Sequence, residues 1–200
     1  MADKVESIKN IAESTLSNPE LLSKIANALK EGTRRSRQHA AQVLSAVAAL
    51  DAQKIAPYGE ILVDSLSRPE AQTRWECLDA LTKLVDIDID TCARAIDGAE
   101  TALFDEESGP LHLAAMRFLC KFGASSEENS EKAWPLIDEA IQGWHGDLEF
   151  QDMLNALIEL SEGALSGSVK NEFADRMRFD SANGRGALKR KATLIVENLS

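Results

Sequence analysis

The sequence predicts an all-α protein, a right-handed α-solenoid of about five helical hairpins behind an N-terminal capping helix. Three observations carry that prediction. Apolar positions repeat every 37 residues, at Leu29, Leu66 and Leu103, at Ala40, Cys77 and Ala114, and at Leu44, Leu81 and Phe118. Within each period, apolar residues recur every three or four positions on both sides of a breaker, as two helices joined by a tight turn require. The breakers themselves recur as Glu31-Gly32-Thr33, Ser67-Arg68-Pro69-Glu70 and Glu107-Ser108-Gly109-Pro110. Gly can close a helix in the left-handed conformation, and Pro suits the first turn of the next.

Taken in order, residues 1–17 form the capping helix. Asp3-Lys4-Val5-Glu6 has capping-box spacing, and Val5, Ile8, Ile11 and Thr15/Leu16 form an amphipathic stripe. The repeats occupy 18–166, starting at Asn18-Pro19-Glu20 with Asn18 as N-cap. Ile25, Leu62 and Ala99 also fall in step. Past Gly123 the period slips, because adding 37 to Phe118 lands on Asn155 while the apolar residues are Met153, Leu154 and Leu157. A short insertion at Gly143-Trp144-His145-Gly146-Asp147 restores it, between a helix ending near Gln142 and one beginning near Leu148. After Ser166-Gly167-Ser168, residues 167–200 form a capping hairpin whose polar character suits a terminal unit, so that 1–200 is one repeat domain.

Composition narrows the function classes. With 22 Lys and Arg against 33 Asp and Glu, the formal charge is −11, which disfavours nucleic-acid binding by bulk attraction. Cys77, Cys92 and Cys120 form no CxxC pair, and an odd count without a leader pattern points to reduced thiols in a cytoplasmic protein. No apolar run approaches the ~20 residues of a membrane span, so no membrane partner is expected.

The segment from Leu66 through Pro69, Arg74, Cys77 and Ala80 to Leu81 resembles a HEAT repeat, whose second helix carries an Arg followed by small and aliphatic core residues. Leu29 to Leu44 matches it with Arg37, Ala40, Val43 and Leu44, whereas the third copy has Leu111 in place of the Arg. HEAT families often pair that Arg with an Asp in the preceding turn; the corresponding positions hold Glu31, Arg68 and Asp105. The resemblance implies a HEAT/armadillo-type scaffold that binds proteins, peptides or occasionally nucleic acids along a concave wall. Some HEAT-like relatives are enzymes, including DNA alkylation-repair glycosylases and bilin lyases, and an enzyme or nucleic-acid binder of that type is the alternative.

Catalytic chemistry has no starting residue here. His39, His112 and His145 form no metal-ligand spacing, and no GxGxxG, P-loop or GxSxG occurs, so neither metal, cofactor nor catalytic group is expected. Charge is nonetheless layered. The second helices, taken as 33–50, 71–85, 109–122, 148–160 and 185–197, hold eleven basic and six acidic residues, a net +5 that leaves −16 elsewhere.

Helical geometry then places side chains. An α-helix turns ~100° per residue, so a core stripe of Cys77, Leu81 and Leu84 puts Trp75 roughly 140° away, facing solvent on the concave side. The period makes Gln38 and His112 equivalent to it, and Gln42, Asp79 and Met116 a second row. Arg37 and Arg74 fall on the flank beside the core, where a guanidinium can bond a neighbouring turn. The candidate partner-binding residues are therefore Arg34, Arg35, Gln38, Trp75, His112 and Met116. They suit a protein or peptide with an apolar anchor and an acidic neighbour, bound by a non-catalytic scaffold.

Overall fold

The computed structural model describes residues 2–106, 108–147 and 149–200, of which 2–6 by backbone alone. The side chains of the expected capping box at Asp3–Glu6, the turn residue Glu107 and the residue Leu148 near the expected helix start lie outside the described residues. Every regular element among the described residues is helical. The chain divides into two compact units, Met1–Ala114 and Ala115–Ser200, with helix α8 running across the division.

The first unit begins with α1 (Ala2–Leu16), which buries Ile8, Ala12 and Thr15. Helix α2 (Pro19–Glu31) starts where Asn18 Oδ1 accepts the Leu21 N–H at 3.0 Å and Pro19 opens the first turn. Helix α3 (Arg34–Leu50) starts at Thr33, whose hydroxyl accepts the Ser36 N–H. Between them Gly32 has φ −75°, so it closes α2 without the left-handed conformation. A Cβ there would lie 2.3 Å from the Ala28 carbonyl, which explains the glycine.

Two short 3₁₀ turns, Ala52–Lys54 and Ala56–Tyr58, lead into α4 (Gly59–Ser65), followed by α5 (Ala71–Leu84). Then come α6 (Ile89–Ala93), α7 (Ile96–Leu103) and α8 (Gly109–Gly123). The first helices of the second and third repeats are thus broken into pieces, which the period did not predict. Pro57 sits in one break, and Asp88 starts α6 by capping Thr91 N–H at 3.1 Å. The two broken helices approach closely. A Cβ on Gly59 would stand 2.7 Å from Thr91 Cγ2, and one on Gly98 would stand 2.7 Å from Leu66 Cβ.

Hydrophobic burial supplies most of the stability. Leu29, Leu44, Leu62, Leu81 and Leu103 are fully buried, each contributing roughly 1.5–3 kcal/mol. Register between repeats comes from arginines. Arg37 donates to its own turn at Gly32 O (2.8 Å) and forward to Glu70, while Arg74 donates forward to Asp105 Oδ2 at 2.8 Å. The acid of each pair therefore lies in the turn of the following repeat, not the preceding one. Arg68 adds a bond from the second repeat back to Lys30 O at 2.8 Å, placing positive charge at the C-terminus of α2.

The second unit continues with α9 (Glu127–Trp144), α10 (Phe150–Ser161), α11 (Gly167–Asn183) and α12 (Gly186–Asn198). Helix α9 runs two residues past the expected end, and Gly146, with φ +98°, makes the turn that follows. Ser126 and Ser166 cap α9 and α11. Phe122, Ile137, Phe150, Leu157, Phe173 and Ile195 are fully or almost fully buried. Trp134 packs on Phe173 at 5.1 Å and donates its indole N–H to Glu172 at 2.8 Å, which ties α9 to α11.

Candidate functional site

A concavity lies on the first unit, on the open side of α3 and α5. Thr33, Arg35, Ser36, Gln38, His39 and Gln42 from α3 and its cap, with Gln72 from α5, line an open recess of about 560 Å³. Helix periodicity explains the grouping, since 35, 38/39 and 42 share one face of α3. The basic run at 34–37 splits by function of position. Arg37 turns inward to Gly32 and Glu70, while Arg34 and Arg35 stay exposed at the helix start, where the backbone N–H groups add positive potential.

Farther along the same pair of helices the character changes. Ser45 and the Trp75 indole donate hydrogen bonds to the Glu76 carboxylate. Burial pushes the Glu76 carboxyl above the ordinary range, the two hydrogen bonds lower it in part, and the charge of Asp79 raises it further. This face is therefore cationic at Arg34 and Arg35, lined by polar side chains at Gln38, His39, Gln42 and Gln72, and acidic at Glu76 and Asp79.

The expected residues fare unequally. Arg34 and Arg35 are exposed and Gln38 half-buried. Trp75 is half-buried, with its indole engaged by Glu76, so it is not the free solvent-facing ring that its azimuth predicted. His112 and Met116 are corrections. His112 is 5% exposed with its ring nitrogen bonded to the Asp105 carbonyl, and Met116 is 0% exposed. Helix α8 buries Leu111, Ala114, Ala115, Phe118, Leu119 and Cys120 as well, and its open side runs through Pro110, Leu113, Arg117 and Lys121, one position later than the period places it. His39 and Gln72, which belong to the recess, were not singled out. The rows anchored on Trp75 passed them over, although the turn spacing from Arg35 and Gln42 places His39 on their face.

A second recess, of about 330 Å³, lies between α9 and α11 and is lined by Asp138, Glu172, Asp175 and Arg176. Arg176 fills it with a two-pronged bond to Asp138 at 2.5 and 2.9 Å, which raises the pKa of the guanidinium further. Among the described residues, no group of three or more His, Cys, Asp or Glu side chains is arranged to hold a metal ion, and no helix is long and apolar enough to cross a membrane.

The sequence matches no family model and no curated protein. Solved structures do match in fold. A designed armadillo repeat protein in complex with the peptide (KR)4 superposes with a TM-score of 0.77 at 13% identity, over 100% of this chain and 92% of that one. The fold is an armadillo/HEAT-type α-solenoid. Computationally designed armadillo repeat proteins for modular peptide recognition share this armadillo-type fold at TM-score 0.74 and 13% identity, covering 97% of this chain and 91% of theirs. An engineered protein reaches 0.73 at 16% identity over 98% of this chain and 91% of its own.

Proposed function

We propose that this armadillo-type protein is a non-catalytic, cytoplasmic scaffold that binds an extended peptide segment of a partner protein across the open face of α3 and α5. The recess carries the reading. It brings Arg35 and three glutamine amides together in one concavity. A glutamine side chain offers one acceptor and two donors, the complement of a peptide main chain, and can hold an extended segment whatever its side chains. Arg34 and Arg35 add a preference for an acidic residue, through a guanidinium fork that matches a carboxylate. Trp75 contributes the exposed part of its ring as an apolar contact.

The neighbour of similar fold was solved with a cationic peptide, (KR)4. The cationic start of this recess favours the opposite charge. The chain's −11 does not cancel that preference, because charges beyond the Debye length of ~8 Å are screened at physiological salt, leaving Arg34 and Arg35 to set the local potential. The buried thiols of Cys77, Cys92 and Cys120 suit a reducing compartment.

Peptide display followed by fluorescence anisotropy tests the proposal. Selected peptides are expected to carry acidic residues, and R34E/R35E is expected to weaken them about 10- to 100-fold at low salt, with the effect shrinking as salt rises. Selection of peptides that bind R34E/R35E and Q38A/Q42A as tightly as the parent chain would contradict it. So would tight, salt-sensitive binding of duplex DNA with release of a base, the signature of a HEAT-like glycosylase.

A further inference from the structure

The second unit carries a charge segregation that the peptide recess does not use. From Ser181 to Val196 the sequence has four cations, Arg185, Lys189, Arg190 and Lys191, and no acid, in a chain with 33 acidic residues among 200. This stretch is the turn of the α11–α12 hairpin and most of α12. Just before it stands Phe179, at 70% the most exposed large hydrophobic side chain among the described residues. Single exposed apolar residues are ordinary. A nearly free aromatic ring beside an acid-free run of cations is the pairing that interfacial binding uses.

The end of the hairpin is built to hold these groups in place. Asn183 Nδ2 donates to the Phe179 carbonyl at 3.1 Å, and Lys189 Nζ donates to the Ala182 carbonyl at 3.0 Å. Gly184 closes α11 through its N–H to Asp180 O, where a Cβ would stand 2.4 Å from that oxygen. Asp180 is itself buried and bonded to His145 at 3.0 Å, so it offers little charge to the surface. Among the described residues, the side chains of Arg185 and Arg190 have no hydrogen-bond or ion-pair partner. Arg178 is held only by an exposed pair with Asp175 at 2.7 Å, which another anion can displace.

We propose that the end of the α11–α12 hairpin is a peripheral docking surface for an anionic phospholipid membrane, with the Phe179 ring entering the headgroup region while Arg185 and Arg190 meet lipid phosphates. Charge complementarity chooses the sign of the partner, and the apolar component chooses its kind. An acidic protein would need a pocket shaped to the ring, whereas the lipid interface buries a ring without any matching shape. A plane can also meet the ends of both helices at once, which a single nucleic-acid strand stacking on one ring does not. The contact is reversible, since one ring and a few cations fall far short of a spanning helix. It is independent of the peptide recess on the first unit.

Vesicle co-sedimentation at about 0.1 M salt tests the proposal with the full chain. The protein is expected to bind phosphatidylcholine vesicles containing about 30% phosphatidylserine, and not phosphatidylcholine alone. R185Q/R190Q is expected to lower partitioning about 25-fold, roughly fivefold per cation, and F179A about tenfold. D147N/E149Q, which removes acids from the loop joining His145 to α10, is expected to strengthen it. All five positions are exposed, so circular dichroism should report unchanged folding. Absent binding, equal binding to both vesicle types, or F179A binding like the parent chain would overturn the proposal. Binding to a single-stranded oligonucleotide in place of vesicles would overturn it equally and assign the surface to nucleic acid.

Discussion

Arg74 Nη1 donates to Asp105 Oδ2 at 2.8 Å, and the arginine side chain that does so is only 9% exposed. The bond joins the second helix of one repeat to the turn before the second helix of the next. Arg37 and Glu70 repeat it one unit earlier. Removing Asp105 would leave a guanidinium buried without its anion. D105A is therefore expected to destabilise by about 2–4 kcal/mol, below the 3–5 of a fully buried pair because Asp105 is about a quarter exposed. Denaturant unfolding of D105A, R74M and the double variant checks this. The double variant should cost clearly less than the two singles together.

Glu76 gives a pH signature with a definite sign. Its folded-state pKa is raised, chiefly by burial. The folded chain therefore holds this proton more tightly than the unfolded chain, and stability falls as pH rises from the ordinary carboxylate value of 4.5 through the raised one. E76Q keeps an acceptor for Ser45 and Trp75 and removes the buried charge. It is expected to raise Tm at neutral pH and to make no difference at pH below the ordinary value. A lower Tm at neutral pH would show that the ionised carboxylate is a net stabiliser.

Two glycines make a controlled pair. A Cβ on Gly163 would meet Ala124 Cβ, Cα and O at 2.5, 2.6 and 2.7 Å, and backbone cannot move aside cheaply, whereas a Cβ on Gly143 meets nothing within 4 Å. G163A is expected to lose about 1–3 kcal/mol, while G143A, near the end of α9, is expected to be neutral or to gain up to about 1 kcal/mol. Thermal melts of the two variants give the comparison, and equal shifts would contradict this packing.

The three cysteines should be silent in the folded state. Burial pushes the Cys92 thiol up to about 12 and raises Cys77 and Cys120 as well. A colorimetric thiol reagent at mildly alkaline pH is expected to react only as fast as the chain unfolds, and with all three thiols in denaturant. Rapid native labelling of one thiol would contradict the buried assignment.

The repeat was legible because burial follows it. Leu29, Leu66 and Leu103 are all in the core, as are Ala40, Cys77 and Ala114, and only an apolar stripe at helical spacing was needed to see them. The arginine pairs were half-legible. Arg37 and Arg74 were placed on the correct flank, but Glu70 and Asp105 belong to the turns of the next repeats, and one sequence does not say which turn a long side chain reaches. The candidate face was less legible because a period transfers phase and not neighbours. His112 and Met116 inherit the azimuth of the Trp75 row, yet α8 turns Leu113, Arg117 and Lys121 outward, so its open side falls one position later than the period places it. The charges at Arg117 and Lys121, one turn apart on α8, were the available signal. The exposure of Phe179 had none, since its neighbours on α11 give no strong amphipathic pattern.

The central claim, a peptide held on the open face of α3 and α5, is tested most directly by amide chemical-shift mapping during titration with a selected acidic peptide. Shifts are expected to concentrate in residues 33–42 and 72–76, with Arg35, Gln38, His39 and Gln72 among them, and to vanish for R34E/R35E. Shifts concentrated instead on the exposed outer residues Glu60 and Asp64, with residues 33–42 unmoved, would contradict the account and assign binding to the opposite face.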